Sequence, residues 1–348
     1  MKRHFVIGFV LLFGALAMGL LSATAGQAQI FKIATVAPEG SDWMVKMRAG
    51  AQSISDKTQG RVQLKFYGGG VMGNEMSVLR KIRVGQLQGG AFTGGGLAKI
   101  SSDMLIYSLP LLARSEEEMA QLRRHLDPLL TDSLNQAGFV CFGFASGGFA
   151  NLFSERPISK VDDLKGLKLW VPEGDQVSYA VMEGLGLSPV TLPLSDVMTG
   201  LQTGLVEVVA TSPLGALAFQ WYTRVNCMTD MPLAYVYAGL VLDKCSFSRL
   251  SAEDQQVVTQ VLGAIYREFD QQSRPQNEES LAALQQQGVD RVEPVEGEFQ
   301  RWSEVADRVA RQLSAQGLFP EPLYQRAVEL LNDYRQRTTA GSGNSTCR

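Results

Sequence analysis

Apolar positions along the chain switch between two spacings. Phe31 and Ile33 alternate with polar neighbours, the period of a half-buried strand. The loop Ala37-Pro38-Glu39-Gly40 follows, and Ser41 is placed to cap a helix. That helix has Met44, Met47, Ala51 and Ile54 on one face and ends at Gly60. Val62, Leu64 and Phe66 alternate again, Gly68–Gly70 breaks the strand, and Met76, Leu79 and Ile82 mark the next helix. Ser115 and Glu118 form a capping-box pattern ahead of Met119, Leu122 and Leu126. Phe139 to Ala145 is almost wholly apolar, as a strand buried on both faces would be.

The alternation continues. A strand over Leu167–Val171 stops at Pro172, and a helix leads to a strand over Ser188–Leu192. A helix near Val197–Thr203 and a strand near Val206–Ala210 follow. This rhythm predicts an α/β protein, its parallel sheet covered by helices on both faces. The last third is helical. Ser251 and Asp254 open a helix carrying Val257, Val258, Val261, Leu262, Ile265 and Phe269, with a polar continuation to about Gln287. Trp302, Val305, Val309 and Leu313 mark another. There is no internal repeat and no long linker, which suits two lobes sharing crossing strands.

The amino terminus has a different pattern. Lys2, Arg3 and His4 precede an uncharged run from Phe5 to Leu21, then small and polar residues to Ala28. This predicts a cleaved secretory signal over 1–28, with Gly26-Gln27-Ala28 at the cleavage site and Gln29 opening the mature chain. Ala23-Thr24-Ala25 is a second candidate site, and an uncleaved anchor is the alternative. Losing Lys2 and Arg3 would take the formal charge from −3 to −5, because residues 1–28 contain no acid. An acidic chain is a poor partner for nucleic acid, whose phosphates call for a basic face. Of Cys141, Cys227, Cys245 and Cys347, the middle pair flank a strand region and are the candidates for a disulfide. Alternatively, Cys141 and Cys227 are small buried residues.

Catalytic patterns are missing. His4 and His125 are the two histidines, and His4 would leave with the signal. One histidine does not make a His-rich zinc site, and His125 follows Arg123 and Arg124 on what reads as a solvated helix face. The sequence holds no nucleophile elbow. Gly68–Gly70, Gly94–Gly96 and Gly147-Gly148 match neither phosphate-loop nor dinucleotide spacing. They read as turns, or as loop tips offering backbone N–H groups to a ligand. No enzyme activity, cofactor or metal is expected.

Several segments, in order, resemble one family. Ser159 to Pro172, reading SKVDDLKGLKLWVP, is similar to the "DLKG-LK-R-VP" segment of TRAP transporter solute-binding proteins of the dicarboxylate-binding type. Leu185-Gly186-Leu187-Ser188-Pro189 resembles the family's "LGA-P", and Leu201 to Glu207 its "ALQTGVVD". Ile33 to Ser41 and Leu250 to Gln256 fit as well, so the resemblance runs from about 30 to 270. It implies a two-lobed periplasmic clamshell with hinge strands and a long helix along both lobes. The expected division is 29–150 for lobe 1, 151–240 for lobe 2, 241–337 for crossover segments and bracing helices, and 338–348 for a disordered tail. It also implies a small-molecule ligand, TRAP membrane subunits as partners, and a monomer or homodimer.

The departures concern the ligand. The family's carboxylate-gripping Arg corresponds to Trp170, and the Arg of its "GFR" segment to Ala150. Its acidic-and-Asn stretch becomes Val208 to Pro213. A buried carboxylate without a cation is costly, so a neutral, apolar or aromatic ligand is expected. The candidate grips are Trp170, Phe92, Phe149, Trp221 and Tyr222, each with core packing as the alternative. Thr93, Ser146, Asn151 and Thr211 are candidate hydrogen-bond partners, and Glu39 and Trp43 belong to a loop expected to face the cleft. An organic acid held by Arg224 or Lys46 stays open. So does a sensor that reports to a membrane receptor.

Overall fold

The computed structural model describes residues 28–342 of the chain. Residues 1–27 of the expected signal lie outside them. The first strand, β1 (Gln29–Ala34), runs parallel to β2 (Val62–Tyr67), with Phe31 beside Leu64 and Ile33 beside Phe66. The helix α1 (Asp42–Lys57) between them starts where Ser41 accepts a hydrogen bond from the Met44 N–H and buries Met44, Met47 and Ile54. After β2 come α2 (Glu75–Arg83), β3 (Gly89–Thr93), the single turns α3 (Gly94–Leu97) and α4 (Leu105–Ser108), and α5 (Glu116–Gln136). β3 lies parallel to β1. These elements form the first lobe, with one apolar core on each face of its sheet.

The second lobe follows β4 (Phe139–Ser154). It holds β5 (Trp170–Pro172), α6 (Gln176–Gly184), β6 (Val190–Leu192), α7 (Val197–Thr203), β7 (Val208–Thr211) and α8 (Pro213–Ala218). β5 and β6 are parallel, and a bridge from Leu169 to Val208 ties them to β7. The chain returns through β8 (Cys227–Asp243), the turn α9 (Lys244–Phe247), α10 (Ala252–Gln286), β9 (Asp290–Val292), α11 (Glu298–Ala315) and α12 (Glu321–Ser342).

β4 and β8 make one molecule of the two lobes. They pair antiparallel from Phe139–Asp243 at one end to Ser154–Cys227 at the other. In the first lobe β8 also pairs with β3, and in the second with β9, while β4 pairs with β7. The main sheet therefore runs β2-β1-β3-β8-β4-β7, with β9 on the outer edge of β8. The 35-residue α10 packs on α1 in the first lobe and on α8 in the second. Its close approach to α1 needs Gly50, where a Cβ would lie 2.4 Å from Ile265 Cδ1.

Four sequence expectations change. β4 does not stop at Ala145: Gly147-Gly148 is no turn but an irregularity inside the strand, with the register shifting between Ser146 and Gly148 and Gly148 at φ +83°. Gly94–Gly96 forms a helical turn capped by Thr93. The expected tail begins as helix, because α12 runs to Ser342; residues 343–348 lie outside the described residues. The Cys227–Cys245 disulfide does not form. β8 keeps the two cysteines at opposite ends of a 17-residue strand, roughly 55 Å at about 3.3 Å per residue. Cys141 and Cys227 are buried free thiols and Cys245 is an exposed one, while Cys347 lies outside the described residues. Among the described residues no helix is long and apolar enough to cross a membrane.

Candidate ligand-binding cleft

In layered α/β proteins the loops at the carboxyl ends of parallel strands carry the binding groups. In the first lobe Thr93, the last residue of β3, pairs with Ala238, while Gly89 pairs with Leu242 at the far end of β8. In the second lobe Thr211, the last residue of β7, lies beside Asn151, while Val208 lies beside Ser154. Both sets of strands therefore end toward the middle of β4 and β8, and their loops face one another. Three contacts span the gap. Asn74 Nδ2 donates to Glu173 Oε2 at 3.3 Å, and Lys99 Nζ donates to the Gly174 carbonyl at 2.9 Å. A Cβ on Gly70 would sit 3.9 Å from that of Ser195. Each joins a loop after β2 or β3 to a loop after β5 or β6, so the lobes meet at the mouth of a closed cleft.

The first-lobe wall is acidic. Glu75 opens α2 and reaches the end of β3, where one carboxylate oxygen accepts the Thr93 N–H and the other the Thr93 hydroxyl, at 3.0 Å. A Cβ on Gly96 would lie 2.8 Å from this carboxylate, so the glycine makes room for it. Burial raises the Glu75 pKa against the pull of the two Thr93 bonds, and no ion pair reaches it among the described residues. Glu39 accepts two bonds from Arg48, at 2.8 and 2.9 Å, and a third from the Gly68 N–H. Across the mouth Asp175 caps α6 by accepting the Ser178 N–H. Burial raises its pKa, and Lys99 works in the opposite direction.

Trp170 lines the second lobe from within. It is 5% exposed and belongs to an apolar cluster with Phe153, Val209 and Trp221. Its ring meets Trp221 edge-on, with centroids 5.4 Å apart, and its Nε1–H donates to the Leu192 carbonyl at 2.9 Å. The single donor of the indole is thus used inside the lobe.

The other expected site residues fall into three groups. In the first lobe, Thr93 is bound to Glu75, and Trp43 is half-buried, edge-on to Phe66. Phe92 is core at 1% exposed. At the crossing strands, Ser146 accepts from Gly148 N–H and from the Ser273 hydroxyl. Phe149 packs on Tyr235 there, and Asn151 is bonded to Met231 N–H and the Phe149 carbonyl. In the second lobe Trp221 is core, and Tyr222 packs on the Trp170 cluster. Thr211 lies at the end of β7, its hydroxyl without a hydrogen bond among the described residues.

Neither alternative cation stands ready for an acid. Lys46 pairs with Asp42 and Glu268, and Arg224 is exposed. Two residues were not legible beforehand. Glu75 carried no signal beyond following a helix cap. Arg123, read as part of a solvated face, turns inward to Asp127, Asp270, the Tyr235 hydroxyl and the Phe144 carbonyl, while His125 is exposed.

Comparison with known proteins decides the family. The description "DctP: Bacterial extracellular solute-binding protein, family 7" matches residues 33–316. The chain belongs to this family. It is similar to a solute-binding protein of Chromohalobacter salexigens, 22% identical over 80% of this chain and 79% of the relative. The sialic acid-binding periplasmic protein SiaP of Vibrio cholerae is 22% identical over 78% of this chain and 85% of its own length. Among solved structures, DctP7 of Bordetella pertussis, an extracytoplasmic solute receptor binding pyroglutamic acid, superposes with a TM-score of 0.80 at 19% identity. It covers 88% of this chain and 100% of that one. A TRAP periplasmic solute-binding protein of Xanthobacter autotrophicus with bound galacturonate gives 0.79 at 18% identity, over 86% and 98%. At these identities the structural likeness speaks to fold, and the fold is the two-lobed one described above. A family 7 protein is a solute receptor of a transport system, not an enzyme.

Proposed function

We propose that this protein is an exported periplasmic receptor that captures a small organic ligand by closing its lobes and delivers it to TRAP membrane subunits. The ligand on this reading is neutral, with an apolar or aromatic body. The observation that carries it is Trp170. The resemblance puts a carboxylate-gripping guanidinium at that position, and here an indole fills it, its N–H spent on the Leu192 carbonyl. Glu75, held without a basic partner at the end of β3, adds an acid where a carboxylate ligand would need a base. Thr211 and the Thr93–Glu75 pair are the polar groups assigned to orient the ligand, and Phe149, Tyr222 and Trp43 supply apolar surface.

The experiment is to purify the protein from its native host and identify co-purifying small molecules by mass spectrometry. Affinities are then measured for dicarboxylates, sugar acids and neutral aromatic compounds. A neutral compound should bind at micromolar concentration or tighter, and more weakly after Thr211→Val. Micromolar binding of a simple dicarboxylate, insensitive to Trp170→Ala, would refute the neutral reading. That outcome would favour the second reading, an organic acid. Support for it comes from the relatives, whose names include pyroglutamic acid and galacturonate as bound ligands.

A further inference from the structure

A second cavity lies away from the cleft, on the flank of the molecule, with a volume of about 510 Å³. Its walls come from different lobes. α11 packs on α6 in the second lobe, and α12 packs on α5 in the first. The floor is the segment 109–114 between α4 and α5, whose Leu111 N–H donates to the Leu233 carbonyl of β8. Leu111 is held at φ +59°, a left-handed conformation that costs a branched residue energy. The two C-terminal helices thus form a wedge whose opening angle is tied to the placement of the lobes. The volume is within the ordinary range for a small-molecule site.

The chemistry of the lining is uneven. Ala306, Ala310 and Leu331 supply apolar wall. Arg311 pairs with Asp307 and Arg335 with Glu118, while Glu304 accepts only from the neutral Gln300 amide. Two other groups stand open. The Ser303 hydroxyl is buried without a hydrogen-bond partner. The Arg114 guanidinium lies over the Phe299 ring, 5.5 Å from its centroid, and makes no ion pair among the described residues. A buried unpaired hydroxyl and an unpaired cation on an aromatic face, next to an apolar wall, suit a ligand with an acidic head and a hydrophobic body.

We propose that this flank cavity is a second ligand site for a small organic carboxylate with an apolar body. Arg114 meets the carboxylate, Ser303 adds a hydrogen bond, and the wall between α11 and α12 takes the apolar part. The assignment holds whichever ligand the cleft takes. Being walled by both lobes, it holds its occupant best at one lobe angle.

The test uses 4-iodobenzoate with the full mature chain. Anomalous diffraction from soaked crystals locates the iodine, and titration calorimetry measures affinity in solution. The expected result is iodine between α11 and α12, with binding in solution weakened at least 10-fold by Arg114→Gln. Arg114 is exposed, so its variant should fold; Ala310→Trp, which fills the cavity, should abolish binding, with circular dichroism reporting its fold. Iodine only in the cleft, iodine at crystal concentration without measurable solution binding, or an affinity indifferent to Arg114→Gln would each overturn the proposal.

Discussion

Trp170 is buried in the apolar cluster of the second lobe, so its removal is expected to act on stability, and on the proposed reading also on binding. Trp170→Ala deletes the contact with Trp221 and the bond to Leu192 and should cost about 3–5 kcal/mol in urea unfolding. Trp170→Phe keeps an aromatic ring, and its loss should be nearer 1–2 kcal/mol, mostly the missing hydrogen bond and lost contact area. Glu75 makes a pH prediction. Its carboxyl is raised above the ordinary 4.5, so the folded state holds this proton more tightly than the unfolded chain. Stability from this group is highest at low pH and falls as the pH climbs from the unfolded value through the folded one. Glu75→Gln, which can still bond Thr93, removes that loss. The variant should gain on the wild type as the pH rises above 4.5, and unfolding midpoints measured across that range check it. An advantage that stays flat with pH would contradict the assignment.

At the scale of elements, one amide ties the crossing strand β4 and the long helix to the second lobe. Asn277 lies two residues beyond Pro275, inside α10. Its Nδ2 donates to the Gly147 carbonyl in the irregular part of β4 and to the Ser273 carbonyl, and its Oδ1 accepts the Leu214 N–H at the start of α8. Helix, crossing strand and second lobe thus share one side chain where the lobes join. Asn277→Ala should cost about 1–3 kcal/mol through lost bonds and unpaired backbone groups, with faster amide exchange at Leu214. Unchanged exchange there would remove Asn277 from the hinge. Period and caps announced most of these elements: Ser41, Ser115 and Ser251 all cap where their patterns placed them. The full length of β4 was not announced, because two glycines in a row look like a turn until a neighbouring strand pairs across them. The Ser115–Glu118 box is only half formed, since the Glu118 carboxylate goes to Arg335 and the Arg114 N–H instead.

For the molecule as a whole, the proposed function turns on closure. The Gly70 and Ser195 Cβ positions, 3.9 Å apart, are at disulfide spacing. With Cys245→Ser, which removes the thiol exposed among the described residues, and Cys347→Ser, a Gly70→Cys, Ser195→Cys pair should cross-link on oxidation. Gly70 sits at φ +72°, so some strain is expected, about 1 kcal/mol. The oxidised protein should admit ligand far more slowly than the reduced protein and recover on reduction. Equal association rates in the two states would show that the cleft need not open there.

The sequence alone determined the alternation of strands and helices, the caps, the acidic balance and the order of the family segments, because these depend on residues close together along the chain. Tertiary structure decided what each side chain meets: Trp170 turned onto Trp221, Arg123 drawn in to Asp270, Glu75 brought to Thr93, Leu111 bonded to Leu233. Those partners lie from 18 to 147 residues apart along the chain, and no local spacing encodes which of them will touch.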